Sequence, residues 1–428
     1  MKVRKTALSI IFCLPILVLA ILYIDVRIQP QRSNTHLHIY YSFVTNTSST
    51  DDYADSVGHS SIRFINIFNQ TSVEHDRTTL LHVNVTKQVH LQATMATRTP
   101  ASRAHIIAIV SYMRSGSTLT ADIMQHFPGA MYVFEPFHSL VIRARSKRPL
   151  YYLNGTVKRL NAENITDDLL RSELRKWFEC RFGELDAHSL TDSFHTQYSR
   201  SMKTFNNCWR RKRRTLKTLR ECLPAAIEMC KRAKYRLFKF IRLPMRIVQS
   251  VMDMYPGLQA VHLIRDPRGS LLSQFKIRNI TWDRIGNLSE RFCNRVADDI
   301  SSTIFLNRHY QERAKMLLYE KLAENPLTTA EKLHSFTNLP HYKYVTRYIT
   351  KLTMGGHKNY GQFGSLRENS TKAAYRWRDT INFEHVQTID ENCANVYDFI
   401  GYQKFSSAED VRDHNLLTLQ SPKSSIFL

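Results

Sequence analysis

The sequence predicts an α/β fold, a central parallel sheet flanked by helices, and three observations carry that expectation. His105-Ile106-Ile107-Ala108-Ile109-Val110 is a near-continuous apolar run, the pattern of a strand buried on both faces. A small polar loop follows it, and Leu119, Ile123, Met124 and Phe127 then recur at helical spacing up to a Pro128-Gly129 stop. The same succession returns with the run Leu258–Ile264, after which Arg265-Asp266-Pro267-Arg268-Gly269-Ser270 leads into a second amphipathic stretch.

At the N-terminus, Lys2, Arg4 and Lys5 precede an apolar run over residues 7–24 broken only by Ser9 and Pro15. Its length, roughly 27 Å as a helix, suffices for a thin secretory-pathway bilayer. Leu22-Tyr23-Ile24-Asp25-Val26 offers no small-x-small cleavage site. A transmembrane signal-anchor over 7–24 is therefore expected rather than a cleaved signal peptide, with residues 1–6 cytosolic and the rest lumenal. Residues 25–103 are rich in Ser, Thr, Asn and His and read as a largely irregular stem, in which Leu81-His82-Val83-Asn84-Val85 is a candidate ordered β stretch. The catalytic domain is expected over 104–405, mainly helical at 296–324 and 383–402, followed by a polar tail over 406–428.

Composition agrees with an oxidising, glycosylating lumen. Eight Asn-x-Ser/Thr sequons occur, at Asn46, Asn69, Asn84, Asn154, Asn164, Asn279, Asn287 and Asn369. Of seven cysteines, Cys13 lies in the apolar run and six remain, an even number that suits three disulfides of unspecified pairing. No close CxxC or HxxxH pair supports zinc, and no metal is expected. Sixty Lys and Arg against 37 Asp and Glu give a net charge of +23, which attracts polyanions. In a lumenal domain nucleic acid is not an expected partner, and the run Arg210-Arg211-Lys212-Arg213-Arg214 reads as a solvated basic face or an acidic-glycan contact rather than a nuclear signal. The oligomeric state is left open, a homodimer included.

In the first unit, Ser115, Gly116, Ser117 and Thr118 stand where a helix begins, so backbone N–H groups and the helix dipole face one point where an anion fits. Arg114 adds a full charge beside it. A plain Ser/Thr helix cap is the structural alternative. A Walker NTPase is disfavoured, because no Lys stands before Ser117. In the second unit Arg265 ends a strand and Ser273 lies eight residues on, about two helical turns, where both can converge on one phosphate.

These segments, Arg114-Ser115-Gly116-Ser117-Thr118 and Val261-His262-Leu263-Ile264-Arg265-Asp266-Pro267-Arg268-Gly269-Ser270-Leu271-Leu272-Ser273, resemble the 5'-phosphosulfate loop and the 3'-phosphate-binding strand and helix of sulfotransferases. Phe134-Glu135-Pro136-Phe137-His138, Leu318-Tyr319-Glu320-Lys321-Leu322-Ala323-Glu324-Asn325-Pro326 and Trp377-Arg378, followed by Cys393 and Gly401-Tyr402, extend the resemblance over roughly residues 105–403. They make it similar to the Golgi carbohydrate 6-O-sulfotransferases, which act on galactose, N-acetylgalactosamine and N-acetylglucosamine. Lys321 stands where that family commonly has Asp, and Phe137 where Trp is frequent. The resemblance implies a P-loop-like sulfotransferase fold, 3'-phosphoadenosine 5'-phosphosulfate (PAPS) as donor, a glycan acceptor that includes acidic glycans, and a single-pass Golgi-membrane enzyme. It places Arg114 through Thr118 on the 5'-phosphosulfate and Arg265 and Ser273 on the 3'-phosphate. Arg367, Trp377 and Arg378 are further nucleotide candidates. A sugar hydroxyl needs a base, for which Glu135 is the first candidate and His138 the rival. The competing class is a membrane-tethered glycan-binding protein without catalysis on the same fold.

Overall fold

The computed structural model describes residues 20–27, 38–45, 104–355, 364–420 and 424–428. The chain divides into two units, residues 1–91 and 92–428. In the first, Ala20–Arg27 and His38–Thr45 pair as an antiparallel hairpin. Of the expected anchor over 7–24, residues 20–24 thus lie in a strand and the remainder falls outside the described residues. Among the described residues no helix is long and apolar enough to cross a membrane. The candidate β stretch at 81–85 lies outside the described residues.

The second unit is organised by a five-stranded sheet. Its strands are β1 (His105–Val110), β2 (Ala130–Phe134), β3 (Tyr235–Phe240), β4 (Leu258–Ile264) and β5 (Ala314–Leu318). All pairings are parallel and the spatial order is β2-β3-β1-β4-β5. β1 carries one neighbour on each side, and its apolar run is buried because helices cover both faces. The helices that bear on the site are α1 (Ser117–Met124), α2 (His138–Arg145), α3 (Leu216–Arg232), α4 (Pro267–Arg278), α5 (Ile285–His309) and α6 (Tyr319–Glu324). One face of the sheet packs Trp177, Phe178, Phe182 and Leu223, and the other packs Leu119, Ile123, Leu322 and Ile349.

Both strands expected from their apolar runs occur with the same bounds. Two others do not follow a simple pattern. β3 reads Tyr-Arg-Leu-Phe-Lys-Phe, yet all of it is buried, because Arg236 spends its guanidinium on the Cys230 and Phe178 carbonyls (2.9 and 2.8 Å). The stretch 296–324, expected to be helical, contains β5, whose short Ala-Lys-Met-Leu-Leu run is placed by pairing with β4 rather than by helix propensity. The segments Phe383–Asn392 and Ala394–Ile400 are helical as expected.

The six cysteines form three disulfides, Cys180–Cys230, Cys208–Cys222 and Cys293–Cys393. The expected polar tail is corrected by the structure. Ser407 caps a short helix, Ala408–Arg412, and the chain end joins the open edge of β5, with Met316 N donating to Ile426 O at 2.8 Å and Leu428 N to Met316 O at 2.9 Å. Val411, Leu419 and Ile426 are the buried apolar residues that a reading of average polarity hides.

Candidate active site

Every element of the site lies at the carboxyl ends of the strands, where open parallel sheets bind ligands. β1 leaves the sheet at Ser111, whose hydroxyl donates to Phe240 O at 2.9 Å and ties the turn to the end of β3. Arg114 (φ 69°) and Gly116 (φ 87°) then take left-handed backbone, which folds the chain tightly into α1. Gly116 has a second constraint: the Tyr319 ring occupies the place a Cβ would take. α1 has no acidic residue in its first turn and no side-chain cap. Its first intrahelical bond is Thr120 N to Gly116 O at 3.2 Å, so the amides of Ser117, Thr118 and Leu119 precede the ladder and point out of the helix end.

Ser115 departs from the expected role. Its amide donates to Tyr112 O (3.2 Å), and its hydroxyl donates to the same oxygen (2.8 Å) while accepting from Tyr112 N (3.4 Å). Fully buried, it closes the turn instead of facing an anion, because both its polar groups are consumed within four residues.

The second unit meets this turn directly. Asp266 caps α4 by accepting from Arg268 N at 2.9 Å, with Pro267 in the first turn. Ser273, two turns along, accepts from Arg114 Nε at 2.9 Å. Arg265 donates Nη1 to Arg114 O (2.9 Å) and Nη2 to Ala374 O (3.2 Å), with its guanidinium 4.8 Å from the Tyr319 ring centre. Its Nε is buried and, among the described residues, has no hydrogen-bond partner. Arg367 lines the same cavity and donates to the Gly364 and Leu366 carbonyls. Burial, then the charges of Arg265 and Arg367, push Arg114 down to about 10. An orphaned buried donor, three crowded guanidinium groups and the first amides of α1, which precede its ladder, fit a polyanionic ligand.

Two nucleotide candidates are placed elsewhere. Arg378 is buried and donates to the carbonyls of Val411, Leu416, Asp410 and Asp413, so it ties down the C-terminal segment. Trp377 is buried under α4, 4.7 Å from the Arg268 guanidinium carbon and closest of all to the Gly269 position. Neither lines the cavity; a two-residue motif read along the chain cannot reveal which way its side chains turn.

Opposite the turn, Glu135 follows β2 with φ 49° and is buried. Its carboxylate accepts from Lys239 Nζ at 2.6 Å and from Arg242 Nη1. Burial opposes its ionisation, but the two cations outweigh burial and hold it below the ordinary carboxylate range. Lys239, 2 % exposed at the end of β3, also sits 3.9 Å above the Phe134 ring. His138 opens α2, and its Nδ1 pairs with Asp192 Oδ2 at 2.8 Å while Phe194 packs edge-on at 4.4 Å. Asp192 thereby fixes the ring and leaves Nε2 as the nitrogen it does not engage. Glu135, His138, Arg114, Ser117 and Thr118 border one cavity. Sequence reasoning missed Lys239, Arg242, Tyr319 and Asp192. Lys239 had a signal, a charge inside the aromatic run Phe238-Lys239-Phe240; Asp192, 54 residues from His138, had none.

A parallel sheet whose central strand turns into a helix start, met there by Arg265 from the end of the adjoining strand, is an arrangement shared with group-transfer enzymes that take phosphorylated donors at strand ends. The chain belongs to the sulfotransferase family, whose model matches residues 107–343, and it is a sulfotransferase. It is 23 % identical over 380 residues to carbohydrate sulfotransferase 1 of Danio rerio, covering 77 % of this chain and 85 % of that one. It is 22 % identical over 348 residues to carbohydrate sulfotransferase 6 of Homo sapiens, covering 73 % and 84 %. Among solved structures it is similar to the sulfotransferase domain of the Synechococcus PCC 7002 olefin synthase, with a TM-score of 0.38 and 13 % identity over 67 % of this chain and 94 % of that one, too loose a likeness to carry residues across.

Proposed function

We propose that this protein transfers a sulfuryl group from PAPS to the 6-hydroxyl of a galactose, N-acetylgalactosamine or N-acetylglucosamine residue in a glycan, tethered to the Golgi membrane by its N-terminal anchor. The observation that carries the donor assignment is the convergence of Arg114, Arg265 and Ser273 at the amide end of α1, with Arg265 Nε lacking a hydrogen-bond partner among the described residues. The names of the relatives support a sugar acceptor, and the apolar run after a basic start and the three disulfides support a lumenal domain.

The donor supplies an activated sulfuryl group on a phosphate leaving group. Arg114 and the amides of Ser117 and Thr118 hold the phosphosulfate end and balance negative charge where it accumulates. Arg265 and Ser273 hold the 3'-phosphate. His138, oriented by Asp192, accepts the acceptor hydroxyl's proton at Nε2. The doubly paired Glu135 is the weaker base. It holds Lys239 and Arg242 against the cavity wall, a role that departs from the first expectation for this residue. Lys239 and Arg242 supply positive charge opposite the turn.

The reading is tested by incubating the purified chain with sulfur-labelled PAPS and a panel of neutral and acidic glycans, followed by linkage analysis of the product. Label on a 6-hydroxyl is expected. Label at another position would refute the regiochemistry, and glycan binding without label would favour the non-catalytic alternative.

A further inference from the structure

Behind the turn between β1 and α1 lies a closed polar cluster that no step of the reaction uses. Tyr112, His262, Asp299 and Thr303 are each at most 2 % exposed. Tyr112 is the residue on which the turn closes, since its carbonyl takes both polar hydrogens of Ser115. Its ring runs into the interior, where Phe292 packs edge-on at 5.4 Å. There Tyr112 Oη lies 2.8 Å from His262 Nε2 on β4 and 2.9 Å from Asp299 Oδ2 on α5. His262 Nδ1 is 2.9 Å from Thr303 Oγ1, which in turn is 2.7 Å from Asp299 O. Asp299 Oδ1 accepts from Met245 N at 2.7 Å, and Arg295, one turn earlier, donates to Ile241 O at 3.1 Å. α5 therefore ties the donor turn to the segment that carries Arg242 on the opposite wall.

The contacts from Asp299 to Tyr112, Tyr112 to His262, His262 to Thr303 and Thr303 to Asp299 O are four, and each needs its own hydrogen. The two hydroxyls bring one each and a neutral imidazole brings one, so with Asp299 ionised one contact has none. A further proton, on the carboxyl or as the second imidazole N–H, completes the ring, because in either place every hydrogen meets an acceptor. The charges facing the cluster are Arg295, 3.7 Å from Asp299 Oδ2 and 5.2 Å from the Tyr112 ring centre, Asp298 beside it on α5, and Arg246 after Met245. Burial, the largest influence, raises Asp299 above the ordinary carboxylate value against the pull of Arg295, and it drives His262 down to about 3. Both shifts favour the uncharged ring with its full set of hydrogens.

We propose that Tyr112, His262 and Asp299 are positioning residues for the donor, and that one proton shared by Asp299 and His262 locks the turn that receives its phosphosulfate end. The inference rests on the donor reading given above. When the proton leaves, the ring loses a contact, Tyr112 loses part of its anchorage, and the Ser115 turn built on its carbonyl loosens with it. The proton-bound form binds the donor better, so affinity is highest at acid pH and falls as pH rises through the apparent pKa of the pair. By reciprocity, donor binding raises the affinity of the pair for its proton.

The test is calorimetric titration of 3'-phosphoadenosine 5'-phosphate into the full-length chain and its Asp299→Asn and Tyr112→Phe variants, from about pH 5.5 to about pH 8.5. Asn brings its own N–H and keeps an oxygen for Met245 N, so it holds the ring closed at every pH. The ratio of wild-type to Asp299→Asn dissociation constants should be near one at the acid end and rise about tenfold at the alkaline end, a coupling of ordinary size. Ionisation of the ligand's own phosphates cancels in this ratio. Titration in two buffers of different ionisation heat should show the wild type taking up more protons on binding than Asp299→Asn. Tyr112→Phe should bind about tenfold more weakly than wild type at the acid end, and the gap should close as pH rises. If Asp299→Asn does not fold, as judged by circular dichroism, the closing gap to Tyr112→Phe carries the test. A ratio that stays constant across the range, or Tyr112→Phe as tight as wild type at the acid end, would overturn the proposal. Absence of wild-type binding at every pH would refute the donor reading itself, a result distinct from binding that ignores the proton.

Discussion

Glu135 sits between Lys239 and Arg242, which hold it below the ordinary carboxylate range against the effect of burial, whereas the His138 ring is oriented by Asp192 with Nε2 left for an acceptor hydroxyl. Replacing His138 by Gln should therefore lower kcat by about 10²–10⁴, with donor affinity unchanged. An undiminished kcat would return the base role to Glu135. Glu135→Gln should instead act on stability, since it strands the buried Lys239 ammonium at a cost of about 3–5 kcal/mol in urea unfolding at pH 7. The folded pKa of Glu135 is depressed, so its contribution is present above the unfolded carboxylate value of about 4.3 and is lost as pH falls through the lower folded value. The gap between wild type and variant should close on acidification. Glu320 has the opposite sign. Burial, then Asp266, raise its pKa to about 7, while its oxygens accept from Asp266 N (3.0 Å) and Tyr402 OH (3.0 Å). Its stabilising, protonated form is fully present below about 4.3 and is lost as pH rises through about 7. Glu320→Gln should flatten that part of the stability profile, and an unchanged slope between pH 5 and 8 would contradict the assignment.

Helices and strands far apart in the chain are joined by devices that can be removed separately. Cys293–Cys393 joins α5 to the helix that ends at Asn392 across a sequence separation of 100 residues. Replacing both cysteines by Ser should cost about 2–5 kcal/mol, read as a lower Tm, by releasing the largest loop of the three in the unfolded chain. Removing residues 424–428 strips the segment that covers β5 and frees a sheet edge, so the truncated protein should aggregate on mild heating, as followed by light scattering. This scale also divides what was legible from what was not. β1 and β4 announce themselves because both faces are covered and their runs are nearly all apolar. β3 and β5 escape a pattern reading because Arg236, Lys239 and Lys315 find partners only in three dimensions, and the docked C-terminus escapes it because three buried side chains in a polar stretch leave no period.

Taken as a whole, the molecule brings two strand ends, 151 residues apart in sequence between Arg114 and Arg265, to one point. That convergence was legible because each unit carries residues suited to an anion locally: Gly116, Ser117 and Thr118 on one, Arg265 and Ser273 on the other. The opposite wall was only half legible, since Lys239, Arg242 and Asp192 arrive from a strand end, a turn and a distant segment with no shared motif. The inward turn of Ser115 and the outward commitment of Arg378 to carbonyls depend on side-chain direction, which residue type does not specify. The central claim is that both strand ends grip a single nucleotide. Calorimetric titration of 3'-phosphoadenosine 5'-phosphate into wild type, Arg114→Ala and Arg265→Ala tests it most directly. One site per chain is predicted for the wild type, with affinity weakened roughly 10²-fold or more in each variant at unchanged circular dichroism. Wild-type affinity retained in either variant would contradict the claim.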